Sequence, residues 1–202
     1  MYIPRLYRVE DQKEILEFIS ENSFGALVTY DGEKPIASHL PFEMIGNHDA
    51  LTLYGHMSRA NPQWKTFGDQ EVLVIFQGAH TYISPRWYKH VNVPTWNYMT
   101  VHSYGRPRLV EGDEAYVLLS RLITKHEAHS DYRLESLPPD FVQKEIKGIV
   151  GFAIHITRLE ASYKLSQNRS DEDRTNIVLE LEKRTDESSR LIAEAMKSRR
   201  SI

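Results

Sequence analysis

The stretch Tyr54-Gly55-His56-Met57-Ser58-Arg59-Ala60-Asn61-Pro62 is the most informative part of this chain. It predicts a strand that ends at a short helix, with Pro62 in the first turn, where its missing N–H is tolerated. Ser58 and Arg59 then lie at the entrance of the helix, where a hydroxyl, a guanidinium and helical amides suit an anion such as phosphate. The alternative is an ordinary turn in which Ser58 caps the helix and Arg59 faces solvent. This stretch alone leaves both interpretations open.

The residues on the N-terminal side of this stretch predict one helix and two hairpins. Residues 11–22 have apolar side chains at helical spacing behind Asp11, which fits an N-terminal cap. The dipeptide Asp31-Gly32 is a strong hairpin signal. The predicted strands are residues 24–30, 34–42 and 50–56, with a polar turn at residues 46–49.

On the C-terminal side the pattern continues as long strands and helices. We expect a helix at 61–67, strands at 71–77 and 80–84 with a bend at Gly78, and a strand at 95–111 broken near Gly105 and Pro107. Further on, the pattern predicts helices at 113–129 and 141–147, a strand at 149–164, and charged helix from residue 171. The apolar stripe of that last helix lapses between Glu182 and Arg190. Together these elements predict an α+β, mainly β domain at residues 1–170, built on an antiparallel barrel, and a helical extension at residues 171–202 that packs on the domain or on a dimer partner.

Composition excludes several classes of site. The 202 residues include no cysteine, so a thiolate nucleophile and a disulfide framework are impossible. There is no apolar run of the roughly 20 residues that cross a bilayer and no secretory pattern at the N-terminus, so we expect a cytoplasmic protein without a membrane partner. The 25 basic and 28 acidic residues give a net charge of −3, which does not indicate a dominant DNA-binding face.

Aromatic and histidine residues offer further candidates. Aromatic residues that could stack a planar ligand, or equally form a sheet core or a dimer interface, are concentrated at Tyr82, Trp87, Tyr88, Trp96, Tyr98 and Tyr104. The segment His126-Glu127-Ala128-His129 is one residue short of the zinc-binding spacing, so we predict no metal site. No nucleophilic or catalytic constellation is identifiable.

Six blocks in order resemble one bacterial family, the PaiB proteins. They extend to about residue 175 and are Ala37-Ser38-His39-Leu40-Pro41-Phe42, Gly55 to Trp64, Val74-Ile75-Phe76-Gln77-Gly78, Tyr82-Ile83-Ser84-Pro85 with Trp87-Tyr88, Val93-Pro94-Thr95-Trp96-Asn97-Tyr98 and Lys164-Leu165-Ser166-Gln167-Asn168-Arg169.

The resemblance implies a split β-barrel that is similar to pyridoxine 5′-phosphate oxidase, is homodimeric, and holds FMN in a cleft at the subunit interface. It implies cofactor contacts from Ser38, His39, His56, Ser58, Arg59, Trp96, Asn97, Lys164, Gln167 and Asn168, the last three from the partner subunit. The oxidases have a longer serine and basic segment before their Asn-Pro than this chain has. The short segment here predicts fewer phosphate contacts and weak FMN binding.

The resemblance also implies a function, with two alternatives. PaiB proteins are described as negative transcriptional regulators of sporulation and of degradative-enzyme (protease) synthesis. The sequence has no helix-turn-helix signature, so we expect indirect action rather than direct DNA binding. The alternatives are an FMN-dependent oxidoreductase and a haem-binding or haem-degrading protein with His39 or His56 as an axial ligand.

Overall fold

An antiparallel sheet dominates the computed structural model, which describes residues 1–47 and 50–199. Hydrogen bonding orders its strands β3-β2-β6-β7-β8-β5-β4, with β1 paired to β8. The strands are β1 (Arg8–Val9), β2 (Phe24–Tyr30), β3 (Pro35–Pro41), β4 (Glu43–Asn47), β5 (Ala50–Ser58), β6 (Val72–Ile83), β7 (Thr95–Val110) and β8 (Ile149–Lys164). The helices are α1 (Gln12–Glu21), α2 (Gly112–His126), α3 (Pro139–Lys147), α4 (Asp171–Glu182) and α5 (Glu187–Ser198), and short 3₁₀ turns lie at Arg5–Tyr7, Pro62–Thr66, Pro85–Trp87 and Leu134–Ser136.

The chain divides into two compact units, and three strands contribute residues to both. The terminal unit contains Met1–Phe18, Gln77–His102 and the described residues from Glu160 onward, and the central unit contains Ile19–Phe76 and Ser103–Leu159. The division of the chain near residue 170 that the sequence suggested stays a prediction, and residues 200–202 of the predicted extension lie outside the described residues.

Phenylalanine rings form the core of the central unit. Phe42 meets Phe76 and Phe152 with ring centroids 5.7 and 6.2 Å apart, and Phe67 meets Phe152 at 5.3 Å. On β5, buried residues alternate with half-buried ones, as a strand with one covered face requires. Gly55 lies on the covered face, where an added Cβ would come within 2.7 Å of the Phe152 ring. The glycine therefore lets β5 approach this aromatic core.

Local sequence signals explain how two of the elements begin and turn. Asp11 Oδ1 accepts hydrogen bonds from the amides of Lys13 and Glu14 and so caps α1, as predicted. Asp31 accepts two backbone amides in the turn between β2 and β3, and Gly32 there has a φ of 99°. The Asp31-Gly32 hairpin is thereby confirmed. Part of the turn predicted at residues 46–49 lies outside the described residues.

One expected interruption of the sheet is absent. β6 continues through Gly78, so the segments expected at 71–77 and 80–84 form one strand, and the bend at Gly78 stays a prediction. β7 runs without a break through Gly105 and Pro107, so the predicted break there was wrong. The physical reason at Gly105 is close packing rather than a bend: an added Cβ would lie 2.3 Å from the carbonyl oxygen of His155 in β8. The lapse in the C-terminal apolar stripe does mark a break, because α4 ends at Glu182 and Asp186 caps α5 by accepting the Ser189 amide at 2.8 Å.

Within the described residues, no helix has the length and apolar character that crossing a membrane requires.

Candidate functional site

The turn after β5 has the geometry that its sequence predicts. Asn61 Oδ1 accepts the Gln63 amide at 3.0 Å and caps the 3₁₀ turn Pro62–Thr66. Ser58 Oγ accepts the Ala60 amide at 3.3 Å, and the Ser58 carbonyl accepts the Asn61 amide. The Ser58 hydroxyl thus serves the turn itself.

Arg59 makes contacts that the sequence did not reveal. Its Nε donates to the Lys147 carbonyl and its Nη2 to the Ile149 carbonyl, both at 2.8 Å, and its backbone amide donates to Gly148 at 2.9 Å. The guanidinium therefore caps the C-terminus of α3, where carbonyl groups lack helical partners and a cation is favoured. Two of its five N–H donors are used in this way, so the fork is only partly available to a phosphate.

Ser38 belongs to the same hydrogen-bonded group, whereas His39 does not. Ser38 Oγ accepts from Asn61 Nδ2 at 2.8 Å, so Asn61 ties β3 to the turn that carries Ser58. His39 is exposed and stacks on Phe24 with ring centroids 6.4 Å apart and an interplanar angle of 24°. Phe24 is itself 65% exposed. The structure thus brings Ser38, Ser58 and Arg59 together and leaves His39 on an open aromatic surface.

His56 lies on the half-buried face of β5, opposite Gly55. It is two residues from Tyr54, so both side chains lie on the same face of the strand. Tyr54 packs against the buried side chains of Val110, Ala115 and Ala153. Burial lowers the pKa of His56, and its Nδ1 has no hydrogen-bond partner in the described part of the chain. A neutral, enclosed imidazole fits a structural position at pH 7.

In the terminal unit, Trp96 is part of an exposed aromatic surface. We call His80, Tyr82 and Trp96 the aromatic surface: the Trp96 ring centroid is 6.1 Å from each of the other two, and it meets Tyr82 edge to face at 74°. Trp96 is 53% exposed. Rings in this arrangement can cover one side of a planar ligand.

Two of the three amides predicted to contact the cofactor, Asn97 and Gln167, hold a turn together. Asn97 is fully buried, exchanges two hydrogen bonds with Ser166 Oγ at 3.0 and 3.1 Å, and contacts Met196 Sδ. Gln167 accepts the Leu165 amide at 2.7 Å and donates to a carbonyl at 2.6 Å. Asn168 is exposed. We call residues 164–169 the cationic turn, because a cation stands at each of its ends.

The two cations of this turn are Lys164 and Arg169. Lys164 Nζ contacts the hydroxyl of Thr95, and burial together with the positive charge of Arg169 lowers the pKa of Lys164. The guanidinium of Arg169 lies 4.9 Å from the ring centroid of Tyr88. Arg169 lies in the last of the six family blocks, but the sequence of that block does not show which of its polar residues have partners within the fold.

These residues fit the requirements of a flavin. A flavin offers a planar ring system that stacks on aromatic side chains and, in FMN, a phosphate that needs cationic donors. The exposed rings of the aromatic surface suit the first requirement, and Lys164 with Arg169 suits the second. The contacts of the predicted residues with a cofactor stay predictions.

Solved structures show which class of fold this is. The chain superposes on the flavocytochrome Anf3 of Azotobacter vinelandii with a TM-score of 0.63, 16% identity and coverage of 86% of this chain and 78% of that one. It superposes on the FAD and heme binding protein of Mycobacterium smegmatis with a TM-score of 0.60, 15% identity and coverage of 84% and 79%. Identities this low establish the fold alone. The fold is the α+β, mainly β split barrel, as the sequence predicted.

Sequence comparison then gives the family. Residues 1–158 match the family model described as "Putative FMN-binding domain". The chain is 43% identical over 202 residues to "Protease synthase and sporulation protein PAI 2" of Bacillus subtilis, covering 98% of each protein. The chain therefore belongs to the PaiB family of FMN-binding-domain proteins, and the resemblance that its six sequence blocks indicated is confirmed.

Proposed function

We propose that this chain is an FMN-binding negative regulator of PaiB type that acts on sporulation and on the synthesis of degradative enzymes. The observation that carries the proposal is the 43% identity over 98% of the chain to a B. subtilis protein whose name refers to protease synthesis and sporulation. Identity along almost the whole of both chains supports a shared role, beyond a shared fold.

The choice of FMN among flavins rests on the family and on the described residues. The family is named for FMN. An FMN phosphate needs cationic donors, and the terminal unit presents the cation pair Lys164 and Arg169 in its cationic turn. In the central unit, the Ser58 hydroxyl and the remaining donors of Arg59 are the other candidates for phosphate contacts.

We propose that regulation is indirect. Proteins held on DNA by its phosphates concentrate basic residues, whereas this chain has 25 basic against 28 acidic residues. The signal would then pass through the flavin, another ligand or a protein partner. A mobility shift with the target promoters at physiological salt tests this part, and tight direct binding would contradict it.

We also propose a homodimer, with the second copy covering the open edge of the sheet. β3 stands at the end of the strand order, and none of its residues is buried. On the adjacent strand β2, Phe24 and Tyr30 are 65% and 51% exposed. An open strand with exposed apolar neighbours is a template for pairing, and closed pairing between two copies removes that liability. Sedimentation analysis should give twice the subunit mass, and a concentration-independent monomer would contradict the proposal.

Titration with FMN tests the central claim. We expect saturable quenching of flavin fluorescence and, by native mass spectrometry, one FMN per subunit. Absence of binding up to about 0.1 mM, equivalent to less than roughly 5.5 kcal/mol of binding free energy, would refute the cofactor assignment. Reduction of the bound flavin by NADH or NADPH with turnover on an acceptor would show an oxidoreductase instead.

A further inference from the structure

The cationic turn holds two positive charges, and neither has an ion pair with a carboxylate within the described residues. In the described part of the chain, Lys164 contacts a neutral hydroxyl and Arg169 lies over an aromatic ring, and neither forms an ion pair. Burial and the positive charge of Arg169 both make the protonated form of Lys164 less favourable. Two neighbouring, half-buried cations repel each other unless an anion lies between them.

The backbone of this turn is fixed by hydrogen bonds in which the side chains of Lys164 and Arg169 take no part. Ser166 adopts a left-handed conformation with a φ of 58°, which is costly for a residue other than glycine, and the buried Asn97 holds it there. Gln167 closes the turn on itself, and buried Arg174 donates to the Leu165 carbonyl at 3.0 Å. A rigid backbone of this kind presents cations at fixed positions, so that binding an anion costs little ordering.

Two tyrosine side chains, Tyr88 and Tyr7, lie near Arg169. Tyr88 is 8% exposed, and its hydroxyl is enclosed without a hydrogen-bond partner in the described part of the chain. The pKa of Tyr7 is raised chiefly by burial, is opposed by the positive charge of Arg169, and is raised further by Tyr98 and Tyr88. Tyr7 therefore lies near Arg169, Tyr88 and Tyr98. An unpartnered buried hydroxyl is unfavourable, and an acceptor oxygen from a ligand would relieve it.

The carboxylate of Asp173 interacts with Arg169, but other partners already occupy it. Asp173 accepts the backbone amide of Lys89 at 3.0 Å and lies 3.5 Å from His90, and the Lys89 hydrogen bond is the largest cause of its lowered pKa. Arg169 contributes to the same lowering, as a minor cause.

We infer that Lys164, Arg169 and the Tyr88 hydroxyl form a phosphate-binding site, with Tyr7 at its border. The guanidinium and the ammonium can only donate hydrogen bonds, and a phenolic O–H can donate one. A phosphate monoester offers three acceptor oxygens with nearly two negative charges. The phosphate of FMN is its first source, which rests on the proposed function; a separate phosphate-bearing ligand is the second.

The test compares three ligands on four proteins. The ligands are FMN, riboflavin, which lacks the phosphate, and inorganic phosphate; the readouts are flavin dissociation constants and the thermal unfolding temperature. The variants are Arg169→Gln, Tyr88→Phe, which removes one hydroxyl and keeps the ring, and the matched control Arg86→Gln, which removes an exposed positive charge of the same unit. Unfolding temperatures without ligand identify any variant that fails to fold.

We expect Arg169→Gln to weaken FMN about 10- to 100-fold and Tyr88→Phe about 3- to 10-fold, with riboflavin affinity unchanged. Arg86→Gln should match the wild type. If both flavins bind all four proteins alike, but phosphate raises the unfolding temperature of wild type and Arg86→Gln and not of Arg169→Gln, the site takes a phosphate from another ligand.

Two results separate the failure of this site from that of the proposed function. If the wild type binds no flavin, the proposed cofactor is wrong and the phosphate arm alone decides the site. If FMN, riboflavin and phosphate act on Arg169→Gln as they act on Arg86→Gln, or if riboflavin is weakened as much as FMN, the phosphate site is overturned.

Discussion

Replacing Arg59 by alanine should destabilise the protein even without a flavin. The substitution removes two 2.8 Å hydrogen bonds from the guanidinium to the Lys147 and Ile149 carbonyls, together with a positive charge at the C-terminus of α3. Hydrogen bonds to charged groups contribute about 1.5–3 kcal/mol when buried, but Arg59 is exposed, so screening leaves about 1–2 kcal/mol for the whole contact. The backbone hydrogen bond to Gly148 survives the substitution.

Urea unfolding of flavin-free protein measures this effect. For a chain of 202 residues, a loss of about 1–2 kcal/mol lowers the melting temperature by about 2–8 °C. Arg59→Lys should recover the smaller part, because an ammonium keeps the charge at the helix end but cannot span two carbonyls. Unchanged unfolding of flavin-free Arg59→Ala would refute the capping role. If Arg59→Ala also binds FMN more weakly than Arg59→Lys does, the arginine contacts the phosphate in addition to capping α3.

Three further predictions concern pH, a buried amide and a glycine. Burial lowers the pKa of His56 from 6.5, so the unfolded chain binds the proton first as the pH falls below about 6.5. Stability therefore decreases as the pH falls, until the pKa of the folded state is reached. His56→Asn should flatten this part of the stability curve in urea titrations between pH 5 and 7.5. Asn97→Ala should cost about 2–4 kcal/mol of unfolding free energy, because it leaves the Ser166 hydroxyl buried without its partner. Gly105→Ala should cost about 2–4 kcal/mol, because its Cβ would lie 2.3 Å from a backbone carbonyl oxygen that cannot move freely.

Each of these predictions has a matched control in the chain. His39→Asn removes an exposed histidine and should leave the pH curve as in wild type; equal flattening by both variants would contradict a specific role of His56. Asn168→Ala changes an exposed amide of the same turn, and a loss as large as that of Asn97→Ala would contradict the buried network. Gly68→Ala adds a Cβ with no atom within 4 Å, so it should be neutral, and a neutral Gly105→Ala would refute the close approach of β7 and β8.

Most of the fold follows from signals within short windows. The strand β8 was predicted at residues 149–164 and has the same bounds in the structure, because its apolar run starts and ends at clear polarity changes. The cap of α1 at Asp11 and the turn at Gly32 are equally local. The failed prediction of a break at Gly105 has the opposite origin. At Gly105 the glycine accommodates a strand about 50 positions away in the sequence, and no local window contains that neighbour.

The candidate site was harder to predict, for the same reason. Seryl, amide and guanidinium groups look equally available in a sequence, but the structure shows which of them already have partners. Arg59 is bonded to carbonyls 88 and 90 positions away, and Asn97 to Ser166, 69 positions away. Only the pattern of partners separates a side chain that holds the fold from one that is free to hold a ligand.

Arg59 and Arg169 differ in how far each is available to bind a phosphate. Both belong to family blocks, and both lie beside a turn. Arg59 uses its fork on the carbonyl of Lys147, at the end of α3, and on that of Ile149, at the start of β8. Arg169 lies over the Tyr88 ring, forms no ion pair within the described residues, and has Lys164 beside it. An arginine side chain that forms no internal ion pair and is held by a rigid turn loses little entropy when an anion binds. Its removal should therefore lower ligand affinity more than it lowers the stability of the fold. For Arg59 the order should be reversed. Flavin affinity and unfolding free energy should therefore be measured for an Arg59 variant and an Arg169 variant. If the loss of flavin affinity relative to the loss of stability is the same for both variants, the distinction between the two arginines is contradicted.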